Sequence, residues 1–261
     1  ACVRRFRAYG REELTSALRD LGLDHGDSVL VHSRLSAFNG FQGAPAEIIA
    51  AFRQAIGEQG TLLMVSLPYR SSTLKYLESR PRFDVRRTPS QNGLLTEVFR
   101  RQPGTRRSLS PTHPVLAQGP RADWFVAGHE SAVYPCGDGT PFARLVEADA
   151  KVAFFDLPLR GFTFMHHVEH VWRDHLPFPL YDDRPYQVQA IDHRGASLTV
   201  EVCPFSAVSA ARRRRGAAAR AFLEQGLARS RRVGNTRLYV VKARDVLAAG
   251  RDLVTRGVLF E

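Results

Sequence analysis

Apolar residues recur along this chain at two spacings, and the change from one to the other marks out its elements. In 11–22, "REELTSALRDLG", Leu14, Ala17, Leu18 and Leu21 share one face of a helix that a glycine ends. "DSVLVHS" (27–33) is an apolar run of strand length, predicted as a buried strand that delivers His32 and Ser33 to its end. A second helix, "PAEIIAAFRQAIGEQG", and a second apolar strand, "TLLMVSLPY", complete a β-α-β opening. The loop "RLSAFNGFQGA" then lies at the carboxyl end of the first strand, where α/β folds gather ligands.

The pattern loosens between 70 and 150. "RSSTLKYLESRPRFDVRRTPSQNG" is a long excursion of the sort that builds binding sites. After it come a short helix "LLTEVFRRQ", a strand "HPVLAQG", a helical turn or two in "RADWFVAGH" and a helix "TPFARLVEAD" with proline at its first position. "KVAFFDL" is a third buried strand, followed directly by a helix, "FTFMHHVEHVWRDHL", that "PFP" stops. "YQVQAIDHRGASLTVEV" alternates about an Arg-Gly turn as a hairpin does, and the helices "AAARAFLEQGLA" and "ARDVLAAGRDLVTRG" flank a strand, "TRLYVVKA". There is no internal repeat, Walker A loop or G-x-G-x-x-G motif.

With 261 residues, 44% of them hydrophobic, the chain can bury a sizeable core, and we read 1–261 as a single domain. It has no uninterrupted apolar run of membrane-spanning length and no apolar leader in "ACVRRFRAYGREEL", so a cytoplasmic protein is expected. Three cysteines, Cys2, Cys136 and Cys203, far apart and without a C-x-x-C pair, point to reduced thiols. The net charge of +11 is concentrated in 205–261, where twelve Arg and one Lys face four acidic residues. A nucleic-acid surface centred on Arg212 to Arg215 is one reading of that excess. It lacks interleaved aromatic residues, having only Phe222, and a solvated face or an anion-attracting surface is the other reading.

The chemistry concentrates in "HHVEH", 166–170. Two readings compete. His166 and His170 at i, i+4 match an inverted zinc-peptidase spacing, which needs a third ligand that the downstream sequence does not clearly offer. Alternatively, His166 and Glu169 at i, i+3 have the spacing of a base and the carboxylate that orients it.

Several ordered blocks carry a resemblance that runs from about Leu14 to Phe260: "GDSVLVHSRLSAFNGFQGAPAEIIAAF", "GTLLM", "FDVRRTPSQNGLLTEVFRRQPGTRRSLSPTHPVLAQGP", "GHESAVYPCGDGTPFARL" and "FTFMHHVEH". They resemble the aminoglycoside 3-N-acetyltransferase family, which is distinct from the GNAT fold. The resemblance implies a layered α/β/α fold with a mixed central sheet and acetyl-coenzyme A as co-substrate, with no metal. It also implies His166 as general base, oriented by Glu169. Its cofactor-binding candidates are His32, Ser33, Arg34, Leu35 and Ser36 in the first loop, Arg107 and Ser108 in "RRS", and Thr140 and Phe142 in "GTPF". Tyr69, Asp182 and Asp183 are candidate acceptor contacts. The implied partners are coenzyme A and a small-molecule amine, without nucleic acid or membrane, a homodimer being left open. Cys136 is read as structural.

Two departures bear on the acceptor. Ser110 stands where the family commonly has histidine, so that any role of that histidine is lost or passes to His113. A chain at +11 is also poorly matched to a polycation unless Asp174, Asp182 and Asp183 make its cleft acidic, so an amine on an anionic or neutral molecule is expected.

Overall fold

In the computed structural model, which describes residues 7–36, 38–214 and 216–260, the expected β-α-β opening is built from α1 (Arg11–Asp20), β1 (Ser28–Ser33), α2 (Pro45–Ile56) and β2 (Thr61–Val65). The excursion holds α3 (Thr73–Glu78) and β3 (Arg82–Asp84), and is followed by α4 (Leu94–Arg100), β4 (Arg106–Arg107), β5 (Val115–Gln118), α5 (Ala122–Val126) and α6 (Pro141–Glu147). Then come β6 (Lys151–Phe155), α7 (Met165–Val171), β7 (Tyr186–Ile191), β8 (Ser197–Val202), α8 (Ala207–Arg212) and α9 (Ala217–Glu224). The chain closes with β9 (Arg229–Val233), β10 (Thr236–Lys242) and α10 (Ala243–Thr255). Cys2 and Arg215 lie outside the described residues.

Seven strands form a sheet in the order β4-β5-β2-β1-β6-β10-β9. β1 is central and pairs in parallel with β2 and β6, while the outer pairings are antiparallel. The sheet is therefore mixed. On one face Val29, Val31, Leu62, Met64 and Phe155 pack against Leu14 and Leu18 of α1, Ile48, Ile49 and Phe52 of α2, and Phe99 of α4. On the other, Leu30, Leu63, Val152 and Phe154 meet Phe125, Phe142, Val168, Phe222 and Val246, drawn from α5, α6, α7, α9 and α10. The result is the layered α/β/α arrangement with a mixed sheet that the resemblance implied.

A second sheet, β3-β7-β8, buries Phe83, Val188, Val200 and Val202. β7 and β8 form the expected antiparallel hairpin, and β3, which the sequence pattern missed, pairs with β7 in parallel. The helix expected over 162–176 is shorter: it breaks at Trp172 and continues as a single 3₁₀ turn, Arg173–His175. α10 lies very close to α7, because a Cβ at Gly250 would stand 2.0 Å from Cγ1 of Val168. Among the described residues no helix is long and apolar enough to cross a membrane.

Candidate active site

The loop after β6 carries the chain into α7, whose first turn presents His166. Glu169 is three residues on, so both side chains project from the same side of the helix. His166 Nδ1 lies 2.9 Å from Oε2 of Glu169. The histidine side chain keeps 22% of its surface exposed, whereas the glutamate retains 2%.

A carboxylate so deeply buried is costly unless it is paired. Arg213, just past α8, supplies the pairing: its Nε donates to Oε1 at 2.9 Å and its Nη2 to Oε2 at 2.8 Å. This is the two-pronged geometry that a guanidinium is shaped to make. The guanidinium lies over the rings of Phe205 and Phe260, 5.0 and 5.8 Å from their centroids. Burial alone would raise the Glu169 pKa, but His166 and Arg213 hold it below the ordinary carboxylate value. The pair's contribution to stability is therefore present at neutral pH and is lost as pH falls through that depressed pKa.

These side chains border a cavity of about 560 Å³. Its wall combines the His166 and Glu169 pair with Tyr69, His113, Phe162, Met165 and Phe205. Ser71, Ser72 and Thr73, at the start of α3, close one side, so the excursion does contribute to the site. His113 is buried, with its ring centroid 6.0 Å from that of His166. Burial, reinforced by nearby positive charge, holds its pKa well below the ordinary value, so it faces the cavity as neutral imidazole. Ser110 is buried behind it, its Oγ accepting from the His113 backbone N–H at 3.2 Å.

Of the candidates drawn from the resemblance, the structure brings His166, Glu169 and Tyr69 to the cavity. Ser33 ends β1, and Arg34 to Ser36 form the loop beyond it, off the cavity wall and tied down where Ser36 donates through N and Oγ to Asp156 at 3.0 and 2.5 Å. His32 is buried on β1, stacked on Phe154 and edge-on to the cavity residue Phe162, and burial lowers its pKa to about 3. Arg107, Ser108, Thr140 and Phe142 are not at the cavity wall. Arg107 is buried and donates to the Ser66 and Thr88 carbonyls at 2.8 and 2.5 Å. Ser108 Oγ accepts from Val115 N at 2.9 Å and meets His129 Nδ1 at 2.8 Å. Thr140 Oγ1 donates to the Gly137 carbonyl at 2.6 Å, and Phe142 is core. Each holds the framework around the site. Asp174, Asp182 and Asp183 also lie off the cavity, so they do not make it acidic.

His170, the other half of the zinc-like spacing, is buried with Nδ1 2.9 Å from the Tyr181 hydroxyl, and His167 Nδ1 is 2.8 Å from the Cys136 carbonyl. Among the described residues no three His, Cys, Asp or Glu side chains are grouped to hold a metal ion. Cys136 and Cys203 are free, buried thiols. The arginine run does not present one surface: Arg212 covers the ring of Phe178, whereas Arg213 turns inward to Glu169. Sequence reasoning missed Arg213 as a site residue because the run reads as a block of solvated charge. The buried Ser206, which caps α8, and Phe205 beside it were the local signals that this segment enters the core.

Fold and site define an α/β protein with a histidine–carboxylate–arginine array on a cavity wall. Residues 30–255 match the family model described as aminoglycoside 3-N-acetyltransferase. The chain belongs to that family. It is 34% identical over 172 residues to aminoglycoside N(3)-acetyltransferase VII of Streptomyces paromomycinus, a match that covers 61% of this chain and 59% of that protein. The matched segment is thus less than two thirds of the relative's length. Among solved structures, AAC-IIIb in its binary complex with CoASH superposes with a TM-score of 0.79 at 29% identity, covering 95% of this chain and 97% of that one. The aminoglycoside acetyltransferase AAC(3)-Xa superposes with a TM-score of 0.80 at 26% identity, covering 97% and 94%.

Proposed function

We propose that this protein is a cytoplasmic, acetyl-coenzyme A-dependent N-acetyltransferase that acts on an amine of an amino sugar or aminoglycoside-like acceptor. The observation that carries the reading is the His166–Glu169–Arg213 array on the cavity wall, in a chain of this family. The two buried free thiols agree with a reducing compartment.

An amine at neutral pH is mostly protonated and attacks nothing until a base removes its proton. Because Nδ1 of His166 is committed to Glu169, the proton is taken at Nε2. Glu169 fixes the ring's orientation and stabilises the imidazolium that forms. Arg213 keeps Glu169 ionised in its buried setting, and His113 places a second, neutral imidazole against the same space. The residues present fit the donor: Leu159, Phe162 and Met165 offer apolar wall for its long arm, and Arg160 offers charge for its phosphates. When bound, acetyl-coenzyme A supplies the thioester whose C–S bond is exchanged for an amide C–N bond. Attack is direct, and the buried Cys136, whose pKa burial pushes well above the ordinary thiol value, takes no acyl group.

The test is release of free coenzyme A thiol that depends on an added amine. His166→Ala is expected to lower kcat by roughly 10²-fold or more while calorimetry still shows coenzyme A binding. Wild-type turnover in that variant would remove His166 from the chemistry.

A further inference from the structure

Two imidazoles meet at the cavity wall. His113 stands almost perpendicular to His166, at 87° with ring centroids 6.0 Å apart, and Phe205 and Tyr69 lie edge-on to it at 6.0 and 6.4 Å. Its Nδ1 is 3.1 Å from Oγ1 of Thr112. That hydroxyl is fully buried and, among the described residues, has no other hydrogen-bond partner, so its hydrogen is satisfied only by donation to Nδ1. Nδ1 is therefore the acceptor, and the proton of the neutral ring sits on Nε2. Nε2 bonds to no group of the described protein and is not sealed into the core, which turns this N–H to the cavity. Ser110 fixes the segment from behind, accepting from the His113 backbone N–H at 3.2 Å.

The surroundings decide between the two things an imidazole could do here. Burial, reinforced by His166, His129 and Arg213, keeps the ring from taking up a proton, which makes it a poor base for an ammonium group. A neutral ring with its N–H held toward a buried space is suited instead to negative charge that appears during a reaction. When an amine adds to a thioester carbonyl, the new C–N bond drives an electron pair onto the oxygen, and the pair returns as the C–S bond breaks and sulfur leaves as thiolate. The proton of the amine goes to His166, and the thiolate takes up a proton as it leaves. The attacking nitrogen and the charged oxygen are two bonds apart on one carbon, so a base and a donor must face each other across the reacting group rather than touch. Ring centroids 6.0 Å apart meet that requirement.

We propose that His113 is a catalytic residue, its Nε2–H donating to the carbonyl oxygen as negative charge develops there, opposite His166. This rests on the acetyl-transfer reading above and adds a residue to it.

NMR of the histidine ring nitrogens in the intact protein reads the tautomer directly. The Nε2–H form of His113 is expected; the Nδ1–H form leaves no donor at the cavity and overturns the proposal whatever the turnover. Thiol release is then measured with kanamycin, glucosamine or glucosamine 6-phosphate, whichever the wild type acetylates fastest. His113→Phe, which keeps a ring but has no N–H, should lose roughly 10²-fold in kcat, the usual cost of one such donor, with KM for amine and acetyl-coenzyme A within about 3-fold. His113→Gln, which can carry an N–H to nearly the same place, should recover about 10-fold of that loss. A loss carried by KM, an equal loss in both variants, or wild-type kcat in His113→Phe each overturns the proposal and leaves the acetyl-transfer reading, whose own test is His166→Ala, intact. Turnover of none of the three amines overturns both.

Discussion

Along β1, Val29 and Val31 face one side of the sheet and Leu30 and His32 the other, and the two sides differ in kind. The first is packed by the tight apolar faces of α1 and α2, with Phe52 and Phe155 at its centre. The second is rich in aromatic side chains and has histidines set among them: His32 lies against Phe154, His167 against Phe164, and His170 against Tyr181. Burial lowers the pKa of His32 to about 3 and those of His129 and His170 to about 4, so these rings stay neutral; His129 and His170 serve as hydrogen-bonding struts, whereas His32 packs on Phe154 with its Nε2 buried and unpartnered. His166 shares their face but sits at a cavity and has a buried glutamate at 2.9 Å. One side of the sheet is concerned with stability alone, and the other gives up uniform apolar packing in order to hold polar groups in fixed positions.

Substitutions on the two sides should therefore separate stability from chemistry. The largest expected effect is on the first side: Phe52→Ala should cost roughly 3–5 kcal/mol in denaturant unfolding, the usual penalty for an aromatic cavity, with kcat per folded molecule unchanged. A matching fall in kcat would show that the sides are coupled. Next is Arg213→Met, which leaves Glu169 to draw its compensating charge from His166 alone. The imidazolium is then favoured, so the acid limb of the kcat/KM profile should move to higher pH and the rate at pH 7 should fall about 10-fold. Arg213→Lys should restore part of it, and an unshifted profile would reduce Arg213 to packing. The smallest effect is expected for Ser206→Ala. This removes the side chain that caps α8 by accepting from Ser209 N at 3.0 Å, and should cost about 1 kcal/mol with a modest rise in KM for the acceptor.

Elements with strong apolar periodicity could be read from the chain itself. β1, β2 and β6 are continuous apolar runs buried on both sides, and α1 and α2 carry plain stripes. β9 was not legible, because "RSRRV" is an exposed edge strand whose hydrogen bonds come from β10, across a turn in which Gly234 takes φ +55°. Its arginines read as loop. In the site, the i, i+3 spacing of His166 and Glu169 was visible, since both stand on one helix. Arg213 was not, because its role depends on a carboxylate 44 positions away and nothing local separates it from its neighbours in the run. Arg107 shows the limit in another way: an arginine beside a serine looks like an anion site, and only the tertiary fold shows that its Nη1 and Nη2 donate to two backbone carbonyls while Nε is buried without a partner.

The near contact of Gly250 with Val168 links α10 to the helix that carries His166 and Glu169. α7 has seven residues, too few to hold its shape in isolation, and it is pressed from behind by α10 while its glutamate is gripped by Arg213. Residues 166 and 169 thus acquire their observed positions only after residues 213 and 250 have arrived. During synthesis the His166–Glu169–Arg213 array is therefore completed late, only once the C-terminal part of the fold has docked.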